Sequence, residues 1–381
     1  MYKRQAVYKL ECGEKLDIRT IPSIIGGDEK QRHGIVLAKS NLAKQFGIKT
    51  GEPLYSARKK CPTIKIYESN FKVYRKYSDM LYKLLLEYSY KVERFSIDEC
   101  FVDMTEFLNG RRLIDVAYEI SKRVKEELKF TVNIGVAHNK LLAKMASDFQ
   151  KPDRVHTLYE KEIPRKMWTL PISELFMVGR RTLPKLYNMN IKTIEDLAKV
   201  DKNLLIKKFG KFGKTMWEYA NGIDESEVVY TYQKPKCVGN STTVSQDIND
   251  IEKIEEVLLA LTEHTTYRLR KIKMFCNVVS VQLRTSEFKN YSHQRKLDFS
   301  TNSTKEIFNA AKQLVRQLYK GEPIRLIGIR VDNLCEEDEK QISIFENNDT
   351  KKQEKANMED KDIDLSDAQK SVGYDDVYWE W

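Results

Sequence analysis

Two adjacent acids set into a strand pair constrain this chain more than any other feature. Between residues 92 and 103 the sequence reads Val-Glu-Arg-Phe-Ser-Ile-Asp-Glu-Cys-Phe-Val-Asp. Val92 precedes the acids Asp98 and Glu99, and Cys100, Val102 and Met104 alternate after them, as a half-buried strand requires. The acids therefore stand at a strand junction or a hairpin end. Carboxylates held side by side at the rim of a buried sheet repel each other and lose hydration, a cost that a divalent cation such as Mg2+ offsets by taking their oxygens. The plainer reading is that Asp and Glu suit turns and exposed strand ends. For the tetrapeptide alone the plainer reading is the stronger, so the rest of the chain has to decide.

At 381 residues there is room for roughly two to four domains. The 66 Lys plus Arg outnumber the 56 Asp plus Glu, and the resulting net charge of +10 favours a polyanionic partner. A membrane surface is the rival explanation, but no apolar run of about 18 residues and no signal-peptide h-region occur, so a soluble, cytoplasmic protein is expected. Cys12, Cys61, Cys100, Cys237, Cys276 and Cys335 form no CxxC pair and the histidines are dispersed. Most of the cysteines thus read as small buried hydrophobes in a reducing compartment rather than as zinc ligands.

Residues 6–30 show a weak pattern, with one short possible helix. Gly26-Gly27-Asp28-Glu29 is similar to a diguanylate cyclase signature, but Lys30-Gln31-Arg32 comes where an apolar strand should resume, so a polar turn is preferred. Residues 34–38 read as a buried strand and residues 40–46 as a short helix capped by Ser40 and closed at Gly47. A second helix comes after Pro53. Lys39, Lys44, Lys49, Arg58, Lys59 and Lys60 make this small unit basic, as a triphosphate cradle needs. Residues 70–89 form a long amphipathic helix with Tyr74, Tyr77, Leu81, Leu84, Leu85 and Tyr88 as its core stripe. After the acidic strand pair come a helix over 111–128, a strand over 131–137 and a helix over 139–149, stopped by Pro152. The order resembles the ferredoxin-like split arrangement, which would need one more strand before Ala6.

With Asn139-Lys140-Leu141-Leu142-Ala143-Lys144-Met145-Ala146-Ser147, then Lys151-Pro152, added to Ser96-Ile97-Asp98-Glu99, the chain resembles the palm of the Y-family DNA polymerases of the polymerase IV and UmuC type. Their palms carry S-[IV]-D-E and, later, N-K-x-L-A-K-x-A-S-x-x-x-K-P. The resemblance covers roughly residues 6–332. It implies a multidomain α+β fold: small fingers (6–70), a ferredoxin-like palm (71–158), a helix-hairpin-helix thumb (159–225), a linker (226–237), a little finger of β-α-β-β-α-β pattern (238–333) and a disordered tail (334–381).

The implied function is error-prone, template-directed translesion synthesis in DNA damage tolerance, by nucleotidyl transfer with two Mg2+ ions. Asp98 and Glu99 are the implied catalytic residues and metal ligands, while Asn41, Lys44 and Lys151 hold the dNTP. Asn41 stands where the family often has Tyr, and Lys44 where it often has Arg, so bidentate geometry is lost there. In the thumb, Gly179, Arg180, Arg181 and Lys185 would meet DNA phosphates; Met177 stands where the family usually has Gly. In the little finger, Lys236, Ser241, Thr242, Arg284, Arg295, Arg325 and Arg330 would track the phosphate backbone. Gln341, Ile342, Ile344 and Phe345 look like a sliding-clamp peptide. The implied partners are primer-template DNA, dNTP and the clamp, for a monomer in the cytoplasm at the nucleoid.

The family opens with a strand bearing D-x-D-x-F-[FY] and a helix containing S-V-E. Here residues 6–10 match the family's stretch just after that Glu, and residues 1–5 match nothing. Either the sequence is incomplete or the chain is a non-catalytic DNA- and clamp-binding relative, and as written it is expected to extend primers poorly.

Overall fold

The computed structural model describes residues 1–27 and 34–336. These divide into two compact units, one made of residues 1–19 and 72–232, the other of the described residues within 20–71 and 233–336. Residues 6–19, which the sequence places with the fingers, thus cluster with the acid-bearing unit.

In the first unit, residues 2–5, which matched no pattern, are the start of a helix, Tyr2–Glu11. The phenols of Tyr74 and Tyr77, on the long helix Phe71–Leu86, donate to Gln5 and Glu11 of that first helix. The buried set on Phe71–Leu86 (Val73, Tyr74, Tyr77, Leu81, Leu84, Leu85) recurs at helical spacing. The strands Val92–Arg94 and Cys100–Val102 pair as an antiparallel hairpin. Ile134–Val136 pairs in parallel with Val155–Thr157, a strand too short to stand out in the sequence. Among the described residues these four strands form two separate pairs. The helix Lys140–Asp148 begins at Asn139, whose side chain accepts from the Leu142 amide at 2.9 Å. It lies directly on the strand Ile134–Val136, because Gly135 has no side chain: a Cβ there would meet Ala143 O at 1.8 Å. One core runs from Leu141, Leu142, Met145 and Ala146 of this helix into the short helices up to residue 220, where Met167, Ile172, Leu186, Ile194, Leu205 and Met216 are buried.

In the second unit, strands Val36–Lys39, Ser23–Gly26 and Lys65–Glu68 form a sheet in that order, two of them unread in the sequence. Ser40 caps the helix Asn41–Gln45 by accepting from the Ala43 amide. Farther along, Cys237–Ile248, Phe275–Thr285, Asn290–Thr301 and Ile324–Cys335 make a four-stranded antiparallel sheet. Phe275–Thr285 and Ile324–Cys335 are its central strands. The helices Ile251–Lys271 and Thr304–Leu318 cover one face over Val279, Val281, Leu283, Ile327, Ile329 and Val331. This is the β-α-β-β-α-β pattern read from the sequence, and the fold is α+β and multidomain. No described helix is long and apolar enough to cross a membrane. Gln341, Ile342, Ile344 and Phe345 lie outside the described residues.

Candidate active site

Asp98 and Glu99 occupy the end of the hairpin, where the Phe95 and Ser96 amides both donate to Glu99 O, at 3.0 and 3.1 Å. Ser96 Oγ donates to Asp98 Oδ1 at 3.1 Å and shapes the turn. From the first helix, the buried Arg4 guanidinium donates to Ile97 O at 2.6 Å and to Tyr74 O at 3.2 Å. The amino nitrogen of Met1 comes within 3.8 Å of Asp98 Oδ2. Cys100, next to the acids, has its thiol pushed up to about 11 by burial, so it is an inert neighbour rather than a nucleophile.

Both acids are about half exposed at the side chain, 52% for Asp98 and 40% for Glu99. Two accessible carboxylates form a hard-oxygen donor set that fits one Mg2+, an ion ordinarily held through one or two carboxylates plus substrate phosphates. Among the described residues no group of three His, Cys, Asp or Glu side chains gathers to hold a metal.

Lys144, inside the motif quoted from the sequence but given no role there, places Nζ 2.5 Å from Glu99 Oε1 and 3.3 Å from Asp148 Oδ2. Burial by itself would lower the Lys144 pKa, but the hydrogen bonds and charges of Glu99 and Asp148 outweigh it and raise it. Lys151 lies 2.5 Å from Asp148 Oδ1. Burial would raise the Asp148 pKa; Lys151 and Lys144 hold it below the usual range instead. Asp98, Glu99 and Lys151 therefore belong to one unit, with Glu99 and Lys151 tied through two intervening charges.

Farther along the hairpin stand Glu93 and Phe101, opposite each other in register. Glu93 takes Lys140 Nζ on both oxygens, at 2.9 and 2.7 Å, and the Val229 amide at 2.7 Å. Part of the segment read as a free linker is thus fixed to the acid hairpin. Phe95 meets Phe101 and Phe176 at ring distances of 5.3 and 6.0 Å, and Phe176 stacks on Tyr219.

Phe176 precedes the thumb turn. Met177 there has φ of +71°, the left-handed conformation that favours the family's glycine. Gly179, Arg180, Arg181 and Lys185 are exposed, and the amides of residues 179–181 make no hydrogen bond among the described residues. Three such amides beside two arginines suit a phosphate.

In the second unit, Asn41 and Lys44 are exposed and three residues apart on one helix, so they share a face. Lys59 lies over the Tyr55 ring and Lys60 pairs with Glu52, so the basic cluster is partly used internally. Strand register sorts the seven little-finger candidates. Arg330 pairs across from Ser280, Gly328 from Ser241 and Gln282, and Leu326 from Arg284. These rows place Ser241, Arg284 and Arg330 on the face away from the helices. Thr242 pairs with Ile327 and Arg295 with Val279, both partners buried under the helices, and Arg295 bonds Gln313 of the second helix at 2.7 Å. Alternation along a strand reverses the face at each residue, so Thr242 and Arg295 do not join the open face. Arg325 sits at a register shift over the Phe288 ring, and Lys236 is exposed before the first strand.

Family models for the impB/mucB/samB family match residues 4–148, and for its C-terminal domain residues 235–344; a DNA polymerase-iota thumb domain model matches residues 174–224. A DNA polymerase IV of Clostridium acetobutylicum is 49% identical over 341 residues, covering 90% of this chain and 86% of that protein. One from Acetivibrio thermocellus is 35% identical, covering 93% and 90%. Among solved structures, a Y-family DNA polymerase chimera superimposes with a TM-score of 0.78 at 23% identity, over 87% of this chain and 96% of that one, a likeness of fold.

Proposed function

Given that the chain belongs to the impB/mucB/samB family, the Y-family DNA polymerases of the polymerase IV and UmuC type, we propose that it performs error-prone, template-directed DNA synthesis across damaged template positions. The observation that carries this reading is the half-exposed Asp98-Glu99 pair at a hairpin end, with Lys144 on Glu99 and Lys151 joined to Lys144 through Asp148. Asp98 and Glu99 hold the divalent cation, and Lys151 receives the triphosphate beside them; Asn41 and Lys44, on one helix face of the second unit, are that unit's phosphate-binding candidates. The cation, when bound, neutralises phosphate charge and makes the primer hydroxyl more acidic. The acid turn orients the carboxylates through the Ser96 hydroxyl, and Lys144 holds Glu99. The free amides and arginines of residues 179–181 and the open sheet face with Ser241, Arg284 and Arg330 grip phosphates rather than bases, so synthesis does not depend on sequence. Residues 341–345 dock on the sliding clamp with modest affinity, since ordering the segment offsets part of its contact energy. The protein acts as a monomer in the cytoplasm.

A non-catalytic DNA- and clamp-binding role is the second reading, favoured in that, among the described residues, no third His, Cys, Asp or Glu gathers with Asp98 and Glu99 to hold a metal. Primer extension by the full-length protein with Mg2+, on undamaged and lesion-bearing templates, decides between them. Incorporation that disappears in D98A and E99A while primer-template affinity persists supports the polymerase. DNA binding with no incorporation by the unsubstituted protein installs the second reading. Substituting Ile344 and Phe345 by Ala should abolish clamp capture and leave DNA binding intact.

A further inference from the structure

An unbroken row of four alternating charges leads from the acid turn to the phosphate-side lysine. Glu99 Oε1 is 2.5 Å from Lys144 Nζ, Lys144 Nζ is 3.3 Å from Asp148 Oδ2, and Asp148 Oδ1 is 2.5 Å from Lys151 Nζ. Lys144 and Asp148 are one helical turn apart, on the helix that Gly135 seats against its strand. The Lys144 side chain is only 15% exposed, whereas those of Glu99, Asp148 and Lys151 are 40–55% exposed. Lys144 is therefore the fixed member of the row, and its three partners are free to exchange with solvent or ligand.

The sharing is uneven by construction. Among the described residues Glu99 has one cationic partner, Lys144 divides itself between two acids, and Asp148 divides itself between two lysines. A charge that engages one end must therefore alter the other. Phosphate that draws the Lys151 ammonium away leaves Asp148 with Lys144 alone, and the strengthened Asp148–Lys144 pair loosens the hold on Glu99. The ammonium of Lys144, on Glu99 Oε1, and a divalent cation compete for Glu99 because two positive charges at one carboxylate repel each other and the ammonium fixes the carboxylate's orientation.

We propose that Lys144 is a positioning residue that keeps Glu99 in reserve, and that phosphate engaging Lys151 releases Glu99 to the divalent cation through Asp148. The proposal rests on the roles given above to Glu99 and Lys151. It makes cation capture come after nucleotide arrival instead of preceding it.

The test is Mn2+ binding to the full-length protein without DNA or nucleotide, measured by calorimetry or water-proton relaxation. K144M should tighten Mn2+ binding about two- to fivefold, the upper range for a partly exposed ion pair, and K144R should stay near wild type. Adding E99Q to K144M should erase the gain. K151M, which removes the same contact that phosphate would, should tighten binding about twofold. D148N should weaken binding, and K151M should have no further effect in the D148N background, since the row is then already cut. A K151M gain that persists undiminished with D148N would mark a plain net-charge effect and overturn the relay, as would a K144M gain that survives E99Q. Asp148 and Lys151 are exposed enough that their variants fold even if K144M does not, so this cycle alone decides. A protein that shows these couplings but never extends a primer would retract the polymerase reading and leave the relay standing.

Discussion

Glu93→Ala should detach residues 227–229 from the acid hairpin, and the geometry sets the size of the effect. The Glu93 carboxylate receives two contacts from Lys140, at 2.9 and 2.7 Å, and one from the Val229 amide at 2.7 Å. The side chains of Lys140 and Glu93 are 16% and 14% exposed, so the pair is largely desolvated. Removing one partner of a fully buried pair costs about 3–5 kcal/mol. Here Lys140 keeps Glu227 O at 3.1 Å and the Phe101 ring at 5.1 Å, so the cost falls to about 2–3 kcal/mol. Expressed as exchange of the Val229 amide, that is a loss of protection of roughly 30- to 150-fold. Hydrogen–deuterium exchange with mass spectrometry resolves such a change in the peptide spanning 224–232. Glu93→Gln, which still accepts from Val229 but lacks the charge, should fall between the two proteins. Unchanged protection in Glu93→Ala, with unchanged thermal unfolding, would refute the idea that this carboxylate fixes the segment.

The same geometry sets three further outcomes. On primer-template DNA, R284Q and R330Q should each reduce the slope of log affinity against log salt by about 0.9, whereas R295Q, on the helix-covered face, should leave it unchanged; equal slopes for all three would contradict the register argument. Phe176→Leu should lower the incorporation rate at saturating DNA about two- to tenfold, the worth of an aromatic pair, while leaving DNA affinity near wild type; a change confined to DNA affinity would separate the thumb turn from the acid turn. Asp196 accepts from the Lys192 and Thr193 amides, which hold its carboxyl below the usual range. Its contribution is therefore present above the unfolded carboxyl value and lost as pH falls through the lower folded value. D196N should cost about 1 kcal/mol at neutral pH and progressively less as pH falls below the usual carboxyl range, as read from denaturant midpoints across that range.

The parts of this chain that its sequence made legible are those in which one local rule acts over many residues. The little finger is such a part: strands of 11–12 residues alternate with helices of 15 and 21, long enough for either period to be unambiguous. The strands Ser23–Gly26, Lys65–Glu68 and Val155–Thr157 have three or four residues, too few for a period, and they exist because neighbours distant in sequence supply their partners. The same division holds at the site. Asp98 and Glu99 drew notice because two acids interrupt an apolar alternation, and the later Asn139–Pro152 motif turned that notice into a candidate site. Lys144 drew none, since a lysine on an amphipathic helix is ordinary until Gly135 brings that helix onto its strand and the ammonium reaches Glu99. Thr242 and Arg295 show the converse. Residue type and neighbourhood placed them with Arg284 and Arg330, yet facing is decided by register, and register is fixed by pairing with strands some 16 to 85 residues away. A basic residue on a strand is therefore half a prediction; which face it serves depends on the parity of its pairing, and that is why, of the candidates with a regular register, Ser241, Arg284 and Arg330 alone share the face away from the helices.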